Sequence, residues 1–324
     1  MSVMPPFVVV GGGIAGLACA RYVATTAGGP EVVVLDRGRR LGGRMAVRTH
    51  DGHAVDTGAS YFTVSDDRFA AQVRDWESRG LVREWTDTFH TADASGLTGT
   101  KSGPVRWAAT HGLRSLVEDL ATGLDVRQQE VRRVGPGTVD GVESLWTVLA
   151  MPDPQAHRLL ADELPEVAAV ATRDWNPALA LAARFDARTW PEVDGVFVAD
   201  HPVLSWIADD GRRRGDDAPV LVAHTTPEFA SRHLEDPQAA LPEVLGALRD
   251  VLGIEPEPTW TYLQRWSLSN PADPREEPFW SAEDGRRVSL CGDGWHAPSK
   301  VEAAYLSGLE LGLELAGDGT IHTA

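Results

Sequence analysis

The apolar positions near the start of the chain predict a strand, a helix and a second strand in close succession. Phe7-Val8-Val9-Val10 is a run of aromatic and β-branched residues that ends in glycine, which is typical of a buried strand. Apolar residues then recur at helical spacing from Ile14 to about Thr26, and Gly28-Gly29-Pro30 ends the helix. A second apolar strand runs through residues 31–35. The pattern therefore predicts a βαβ unit.

Three glycines between the first strand and the helix predict what this unit binds. Gly11, Gly13 and Gly16 form G-x-G-x-x-G, in which the glycines allow a tight turn, close approach of a pyrophosphate and close helix packing. Asp36 follows the second strand directly, where a carboxylate can accept both hydroxyls of a ribose. An ordinary βα turn can contain such glycines, but strand, glycines, helix, strand and acid in this order indicate a dinucleotide site.

A glycine pair between arginines comes directly after this acid. Residues 37–45 read RGRRLGGRM, and the backbone N–H groups of such a turn can hold phosphate oxygens together with guanidinium groups. A solvated basic loop is the alternative interpretation. The position of this stretch directly after Asp36, the predicted ribose ligand, favours phosphate binding.

Farther along, the pattern alternates short strands with helices. Predicted strands cover residues 56–64, 124–134, 145–150, 178–185, 219–224 and 288–291. Predicted helices cover residues 67–80, 112–120, 237–252 and 301–315, the last with small residues on its packing side. We expect residues 67–103, which end in a polar stretch, to form a cap or loop excursion from the nucleotide domain, and residues 135–140 and 292–294 to be turns. The alternation predicts an α/β protein.

Composition narrows the range of partners. A hydrophobic content of 43% supports a full core, while a net charge of −17 argues against nucleic acid. No apolar stretch is long enough to span a bilayer, so no membrane contact is expected. The two cysteines, Cys19 and Cys291, offer no disulfide framework, which predicts a reducing, cytoplasmic compartment. The ten histidines are scattered without the partners of a metal site, so no metal is expected.

Two long motifs carry a resemblance to a known family. DRGRRLGGRM after the glycine fingerprint, and SLCGDGWHAPSKVEAAYLSGLELG near the end, resemble the FAD-binding amine-oxidase-type flavoproteins over nearly the whole chain. DTGASYFTVSDDRF, LVAHTTPEFASRHLED and QRWSLSNP are most similar to the renalase-like branch. The resemblance implies a Rossmann-type FAD-binding domain (1–66, 104–153 and 285–324) and an interleaved α+β substrate domain (67–103 and 154–284).

The resemblance also implies which residues hold a FAD. The three fingerprint glycines would face its pyrophosphate, Asp36 the adenosine ribose, Arg44 the phosphates and Asp293 the ribityl chain. Val131 would offer backbone to adenine, and Val301 would donate an N–H toward flavin N1 and O2. The implied FAD contacts are Gly11, Gly13, Ile14, Ala15, Gly16, Asp36, Arg37, Gly43, Arg44, Gly58, Ala59, Val131, Gly292, Asp293 and Val301.

The chain departs from this family pattern in two places. Ser60 stands where the family commonly has Gln, and the stretch 134–146 is shorter than usual. Non-covalent FAD is expected because Cys291 lies at the end of a buried strand, one residue before the predicted ribityl turn.

Renalase-like enzymes oxidise 2- or 6-dihydro-NAD(P) to NAD(P)+ and reduce molecular oxygen to hydrogen peroxide. A pure hydride transfer needs no acid or base, and no catalytic dyad is evident. His224 and Trp266 are the candidates for the substrate pocket, although both suit a core equally well. Two alternatives remain open: an amine oxidase, which typically needs a lysine that Lys101 and Lys300 are poorly placed to supply, and a non-catalytic flavin-binding sensor or partner protein.

Overall fold

The βαβ pattern at the start of the chain forms as predicted in a computed structural model, which describes residues 4–282 and 285–317. The first strand, β1 (Phe7–Val10), is buried along its whole length, as is common for parallel strands covered on both faces. Helix α1 (Ile14–Thr25) and strand β2 (Val32–Asp36) follow. The predicted α/β class is confirmed.

The remaining elements continue in chain order. The strands are β3 (Val47–His50), β4 (His53–Asp56), β5 (Val82–Asp93), β6 (Gly96–Ala109), β7 (Asp125–Gln128), β8 (Val134–Gly135), β9 (Thr138–Val139), β10 (Val142–Glu143), β11 (Trp146–Leu149), β12 (Trp175–Arg184), β13 (Gly195–Val198), β14 (Leu204–Asp209), β15 (Val220–Thr225), β16 (Trp260–Pro271), β17 (Trp280–Ser281) and β18 (Val288–Leu290). The helices are α2 (Asp67–Ser78), α3 (Arg114–Leu120), α4 (Asp153–His157), α5 (Pro165–Val170), α6 (Asp210–Arg214), α7 (Pro227–Arg232), α8 (Leu241–Leu252) and α9 (Val301–Gly317), with a 3₁₀ turn at Pro237–Ala240.

Residues 4–44, 116–175, 270–282 and 285–317 form the first of two compact units. Its six-stranded sheet has the order β17-β18-β11-β1-β2-β7 and is parallel except for the β17–β18 pair. Helix α9 packs on α1 so closely that a Cβ at Gly308 would lie 1.9 Å from the Ala15 carbonyl oxygen. The small residues predicted for this helix face are buried.

Residues 45–115 and 176–269 form the second unit. Its seven-stranded sheet has the order β16-β12-β15-β14-β13-β5-β6. From β12 to β6 the neighbouring strands are antiparallel except for β13 and β5, which are parallel. One face of this sheet packs against α8 through an aliphatic cluster that includes Leu221, Ala223 and Leu248. A smaller cluster that includes Val55, Ala182 and Val222 covers the other face.

The unit boundaries differ from the predicted domain boundaries. Residues 45–66 and 104–115 lie in the second unit, and residues 154–175 and 270–282 lie in the first. The assignment of each domain to cofactor or substrate binding remains a prediction.

Several predicted elements are wrong in detail. Within the predicted cap or loop excursion, the polar stretch before residue 103 belongs to a hairpin of β5 and β6 that the sequence did not indicate. The outer strand of this hairpin exposes residues 98–105 and so lacks apolar alternation. Of the predicted strand 56–64, only Asp56 lies in a strand, β4, and the rest is irregular apart from a bridge between Phe62 and Trp107. The predicted strand 124–134 stops at Gln128, where its pairing with β2 ends, and the expected turn at 135–140 is part of a small β8–β10 sheet.

Candidate functional site

In the first unit, the glycine loop between β1 and α1 has room for a ligand only in front of the helix. A Cβ at Gly11, whose φ is +115°, would lie 2.4 Å from the Ala150 carbonyl oxygen. A Cβ at Gly16 would lie 2.1 Å from the Gly11 carbonyl oxygen. At Gly13 a Cβ would meet nothing within 4 Å, and no side chain caps α1 there. The first-turn N–H groups of α1, which begins at Ile14 and Ala15, therefore suit a phosphate.

Asp36 lies at the end of β2, as the sequence predicts, and its carboxylate is oriented by backbone. Its two oxygens accept hydrogen bonds from the N–H groups of Gly12 and Gly38, each at 2.6 Å. The carboxylate borders a cleft of about 170 Å3, lined by Asp36, Gly38, Arg39, Leu41, Val126, Arg127 and Gln128. Each oxygen keeps acceptor capacity for a ribose hydroxyl. Arg37, also a predicted contact, is exposed.

The double-glycine turn joins this loop to the C-terminal motif. The Gly42 N–H donates to the Gly12 carbonyl at 3.0 Å, and a Cβ at Gly43 would lie 4.0 Å from the Gly13 Cα. Arg44 makes two hydrogen bonds with Asp293, at 2.7 and 2.5 Å. Arg44, predicted to contact the phosphates, and Asp293, predicted to contact the ribityl chain, are thus hydrogen-bonded to each other.

The residues around Asp293 complete the first-unit site. Its carboxylate also accepts a hydrogen bond from the Ser299 hydroxyl at 2.9 Å, and the Arg44 guanidinium stacks 4.8 Å over the Trp175 ring. The Gly292 N–H donates to the Ser307 hydroxyl at 2.9 Å, and Val301 begins α9. The loop is therefore held from both sides, with a helix N-terminus beside it.

Val131, the predicted adenine contact, lies in the chain between β7 and β8. It is 6% exposed, and neither its N–H nor its carbonyl is hydrogen-bonded to another described residue. A buried backbone group of this kind needs a partner. Together with the open helix N-terminus and the oriented Asp36, this unpaired backbone fits a bound dinucleotide.

In the second unit, three side chains hold the segment that contains the predicted contacts Gly58 and Ala59. The Trp266 indole N–H donates to the Thr57 carbonyl at 2.7 Å. Arg213 donates to the Ser60 carbonyl, and the Trp206 indole N–H donates to the Ser60 hydroxyl at 3.1 Å. Trp266, a predicted pocket residue, is therefore an anchor for this segment.

Beneath the segment lies a buried group of four charges. Arg213 is paired with Asp210 and, at 3.0 Å, with Asp56, while Arg214 is paired with Asp210 at 2.6 Å. All four side chains are at most 6% exposed. Burial lowers the pKa of Arg213 to about 10, the nearby Asp56 opposing the shift, so this side chain stays charged near neutral pH. The run RRR at 212–214 resembles a solvated basic loop, and the sequence alone does not indicate this role.

His224, the other predicted pocket residue, lies on β15 opposite Ala180 on β12 and Trp206 on β14. Its Nε2 is buried and has no hydrogen-bond partner among the described residues. Burial, and secondarily the charge of Arg213, lowers the pKa of His224 to about 4. The ring is therefore neutral at neutral pH and keeps one nitrogen available to a ligand.

Aromatic rings surround Trp206 on the same sheet. The centroid of Tyr61 lies 5.5 Å and that of Phe89 4.8 Å from the Trp206 ring. Trp85 lies 5.1 Å from Phe89, and its indole N–H is buried without a partner among the described residues. Such rings suit a flat ligand. The frequency of tryptophan in the sequence indicates such a surface, but not which rings form it.

Other sequence candidates lie away from these groups. Both cysteines are buried as free thiols, and burial raises the pKa of Cys291 to about 12. Lys101 is exposed on β6, and Lys300 is exposed just before α9. Within residues 4–282 and 285–317, no three or more His, Cys, Asp or Glu side chains form a group that could hold a metal ion. Across the same residues, no helix has both the length and the apolar character needed to cross a membrane.

Two protein-family profiles match most of the chain. The profile of an NAD(P)-binding Rossmann-like domain matches residues 9–76, and that of the flavin containing amine oxidoreductases matches residues 78–310. Polyamine oxidase 1 of Oryza sativa subsp. japonica is 37% identical over 93 residues, which cover 26% of this chain and 18% of that protein. The chain thus matches less than a fifth of the length of this curated relative.

Solved structures share the fold over nearly the whole chain. A protein from Exiguobacterium sp. 255-15 has a TM-score of 0.77 at 17% identity, covering 98% of this chain and all of that one. A triple mutant of putrescine oxidase has a TM-score of 0.75 at 17% identity, covering 97% of this chain and 99% of that one. At such low identity the likeness concerns the fold alone.

Proposed function

This chain belongs to the family of flavin-containing amine oxidoreductases, and we propose that it oxidises 2- or 6-dihydro isomers of NAD(P)H in the manner of the renalase-like branch. It is an oxidoreductase, and its cofactor is FAD. When bound, FAD would supply the acceptor for the hydride of the dihydronicotinamide, which would become NAD(P)+, and molecular oxygen with a proton would take up the two electrons and the hydrogen as hydrogen peroxide.

The chain's own residues fit FAD in the first unit. The glycine loop and the N-terminus of α1 would hold the diphosphate, and Asp36 the adenosine ribose. The unpaired backbone of Val131 would meet the adenine. Asp293 would bind the ribityl chain, with Arg44 fixing the orientation of its carboxylate.

The neutral, unpartnered imidazole of His224 is the observation that carries the proposal. It lies opposite Trp206, and the nearby rings of Tyr61 and Trp85 are partly exposed. A flat dihydronicotinamide ring can stack on such side chains, and its neutral carboxamide can hydrogen-bond to the His224 Nε2. Hydride transfer itself needs orientation rather than a proton donor, so these residues would bind and position the ring.

The test is the rate at which different reductants bleach the bound flavin without oxygen. We expect 2- and 6-dihydro-NAD(P) to bleach it rapidly and 4-dihydro-NAD(P)H slowly, because a ring posed for one carbon holds the others away from near-attack contact. Admitting air should restore the colour and yield one hydrogen peroxide per dinucleotide. An amine that bleaches the flavin faster than any dihydronicotinamide would contradict the proposal.

Amine oxidation is the second candidate, because polyamine oxidase 1 and putrescine oxidase are among the similar proteins. Putrescine and a polyamine therefore belong in the same assay as substrates. Rapid bleaching by a dihydronicotinamide without reoxidation by oxygen would instead indicate a flavin-binding sensor or a different electron acceptor.

The mode of FAD attachment has its own test. Both thiols are fully buried and poorly ionised, so we expect FAD to be held without a covalent bond. Acid precipitation of the yellow protein should leave FAD in the supernatant, and colour retained in the pellet would contradict this expectation.

A further inference from the structure

Arg106 is a buried arginine on β6 of the second unit. It is 5% exposed, and its Nη1 donates a hydrogen bond to the Asp87 carbonyl on β5. Among residues 4–282 and 285–317, no Asp or Glu side chain forms an ion pair with its guanidinium. Arg213, by contrast, is paired with both Asp56 and Asp210. Because burying an unpaired charge is costly, an anionic partner would complete the Arg106 site.

One edge of the Arg106 guanidinium is free to bind such a partner. The centre of the Phe89 ring lies 4.4 Å from Cζ, so the ring covers one face of the guanidinium. A Cβ at Gly103 would lie 2.9 Å from Nη2 and would crowd the group, so the glycine leaves room beside it. Nε and Nη2 make no hydrogen bond to a described residue, and neither atom is sealed from solvent. These two N–H groups form the edge that binds a carboxylate or a phosphate in bidentate geometry.

Two partly exposed aromatic rings lie close to this edge. The ring centres of Tyr61 and Trp85 are 5.2 and 5.1 Å from that of Phe89. Since the Arg106 Cζ is 4.4 Å from the same ring centre, it is within about 10 Å of both. The Trp85 indole N–H is a further donor that is buried without a partner among the described residues. A free guanidinium edge and a free N–H thus accompany a flat surface, a combination that suits an aromatic ligand with an anionic group.

We propose that Arg106 binds an anionic oxygen group, a phosphate or a carboxylate, of a ligand whose flat ring lies against Tyr61 and Trp85. The oxyanion would take the place of the carboxylate that this buried arginine lacks. The identification of the oxyanion as a phosphate of the dihydronicotinamide dinucleotide rests on the proposed function, whereas the binding of an oxyanion does not.

The wild-type holoenzyme, in which FAD fills the proposed phosphate site of the first unit, provides the first test. Phenyl phosphate and benzoate carry an oxyanion on a flat ring, whereas benzyl alcohol is neutral. The indole N–H signal of Trp85 in the NMR spectrum, assigned with Trp85→Phe, reports binding beside Phe89. We expect the better of the two oxyanions to bind at least about tenfold more tightly than benzyl alcohol, and that ligand shows whether the site prefers phosphate or carboxylate. Equal affinity for all three ligands would overturn the inference.

Arg106→Gln and Arg83→Gln form a matched pair of variants. Arg83 lies on β5 and donates to the backbone carbonyls of Arg212 and Arg213, so each variant loses one positive charge and an arginine bonded to backbone. We expect Arg106→Gln to bind the preferred oxyanion at least about tenfold more weakly and benzyl alcohol as before, and Arg83→Gln to bind both like the wild type. Equal losses in the two variants, or an equal loss for both ligands in Arg106→Gln, would assign Arg106 a structural role alone and overturn the inference.

Nicotinamide mononucleotide and nicotinamide riboside, which differ only by a phosphate, test the identity of the ligand. We expect the mononucleotide to bind at least about tenfold more tightly in the wild type and to lose this advantage in Arg106→Gln. If Arg106→Gln weakens the binding of phenyl phosphate but not that of the mononucleotide, the oxyanion site stands and the dinucleotide substrate is contradicted. If dihydronicotinamides bleach the flavin rapidly but oxyanion binding does not depend on Arg106, the proposed function stands and this inference is overturned.

Discussion

Each unit contains an arginine paired with carboxylates, and the two sites differ in their access to water. In the first unit, the side chains of Arg44 and Asp293 are 29% and 12% exposed. In the second unit, Arg213 and Asp56 are each 2% exposed. The Arg44 pair is open enough for a ligand to reach, whereas the Arg213 group is sealed beneath a segment that it helps to hold.

This difference in exposure gives the two arginine–carboxylate pairs different roles. A partly solvated pair contributes little to folding but can present a carboxylate in a fixed orientation to a ligand. A sealed pair cannot touch a ligand, and removing one partner leaves a buried uncompensated charge. Cofactor binding is therefore expected to depend on the first site, and folding on the second.

The largest effect is expected from Arg213→Met. This change leaves Asp56 and Asp210 with Arg214 alone, and breaking a buried pair in this way costs about 3–5 kcal/mol of the free energy of unfolding. Urea unfolding of the apoprotein measures the loss. A loss below about 1 kcal/mol would mean that water reaches this cluster, and the contrast between the sites would disappear.

Asp293→Ala tests the first site through the cofactor. Losing the acceptor for a ribityl hydroxyl should weaken FAD binding about ten- to hundred-fold, corresponding to roughly 1–3 kcal/mol. Titration of the apoprotein with FAD, followed by quenching of flavin fluorescence, gives the affinity. Asp56→Ala is no matched control because the loss of a carboxylate from the buried cluster is expected to destabilise the fold. Ser299→Ala, which removes only the hydroxyl bonded to Asp293, is compared instead and should have a smaller effect. Unchanged affinity in Asp293→Ala would place the ribityl chain elsewhere.

His224 is expected to make the free energy of unfolding depend on pH. Its pKa is about 4 in the folded protein and near 6.5 in the unfolded chain, so the unfolded chain binds more protons between these values. Lowering the pH from 7 to 5 should therefore cost about 2 kcal/mol of stability through this residue. The decrease should be smaller by that amount in His224→Gln, measured by urea unfolding at both pH values. Equal decreases in the two proteins would show that His224 titrates normally.

The first site was largely predictable from the sequence because its parts are local. Gly11, Gly13, Gly16 and Asp36 fall within one βαβ unit, where spacing alone fixes their relative positions. The pairing of Arg44 with Asp293 was not predictable, since it joins residues 249 positions apart. Spacing predicts which part of the cofactor each residue meets, but it does not determine which side chains meet one another.

The second site could not be read from the sequence because burial there depends on tertiary pairing. Arg213 and Arg214 belong to the stretch DDGRRRGDD, whose composition indicates an exposed loop. They become buried because Asp56, from a distant hairpin, and Asp210 neutralise them. His224 was identified as a candidate, but its neutrality follows from burial and from Arg213, which no local pattern contains.

Arg44→Met should have the smallest effect on folding and so sharpens the comparison. The pair it breaks is partly solvated, and exposed pairs contribute about 0–1 kcal/mol to stability. The apoprotein should therefore unfold at nearly the same urea concentration as the wild type, although the Asp293 carboxylate loses the group that fixes its orientation. A loss of more than about 3 kcal/mol would assign Arg44 to the same class as Arg213. In that case both arginines would be structural, and exposure would not distinguish the cofactor site from the buried cluster.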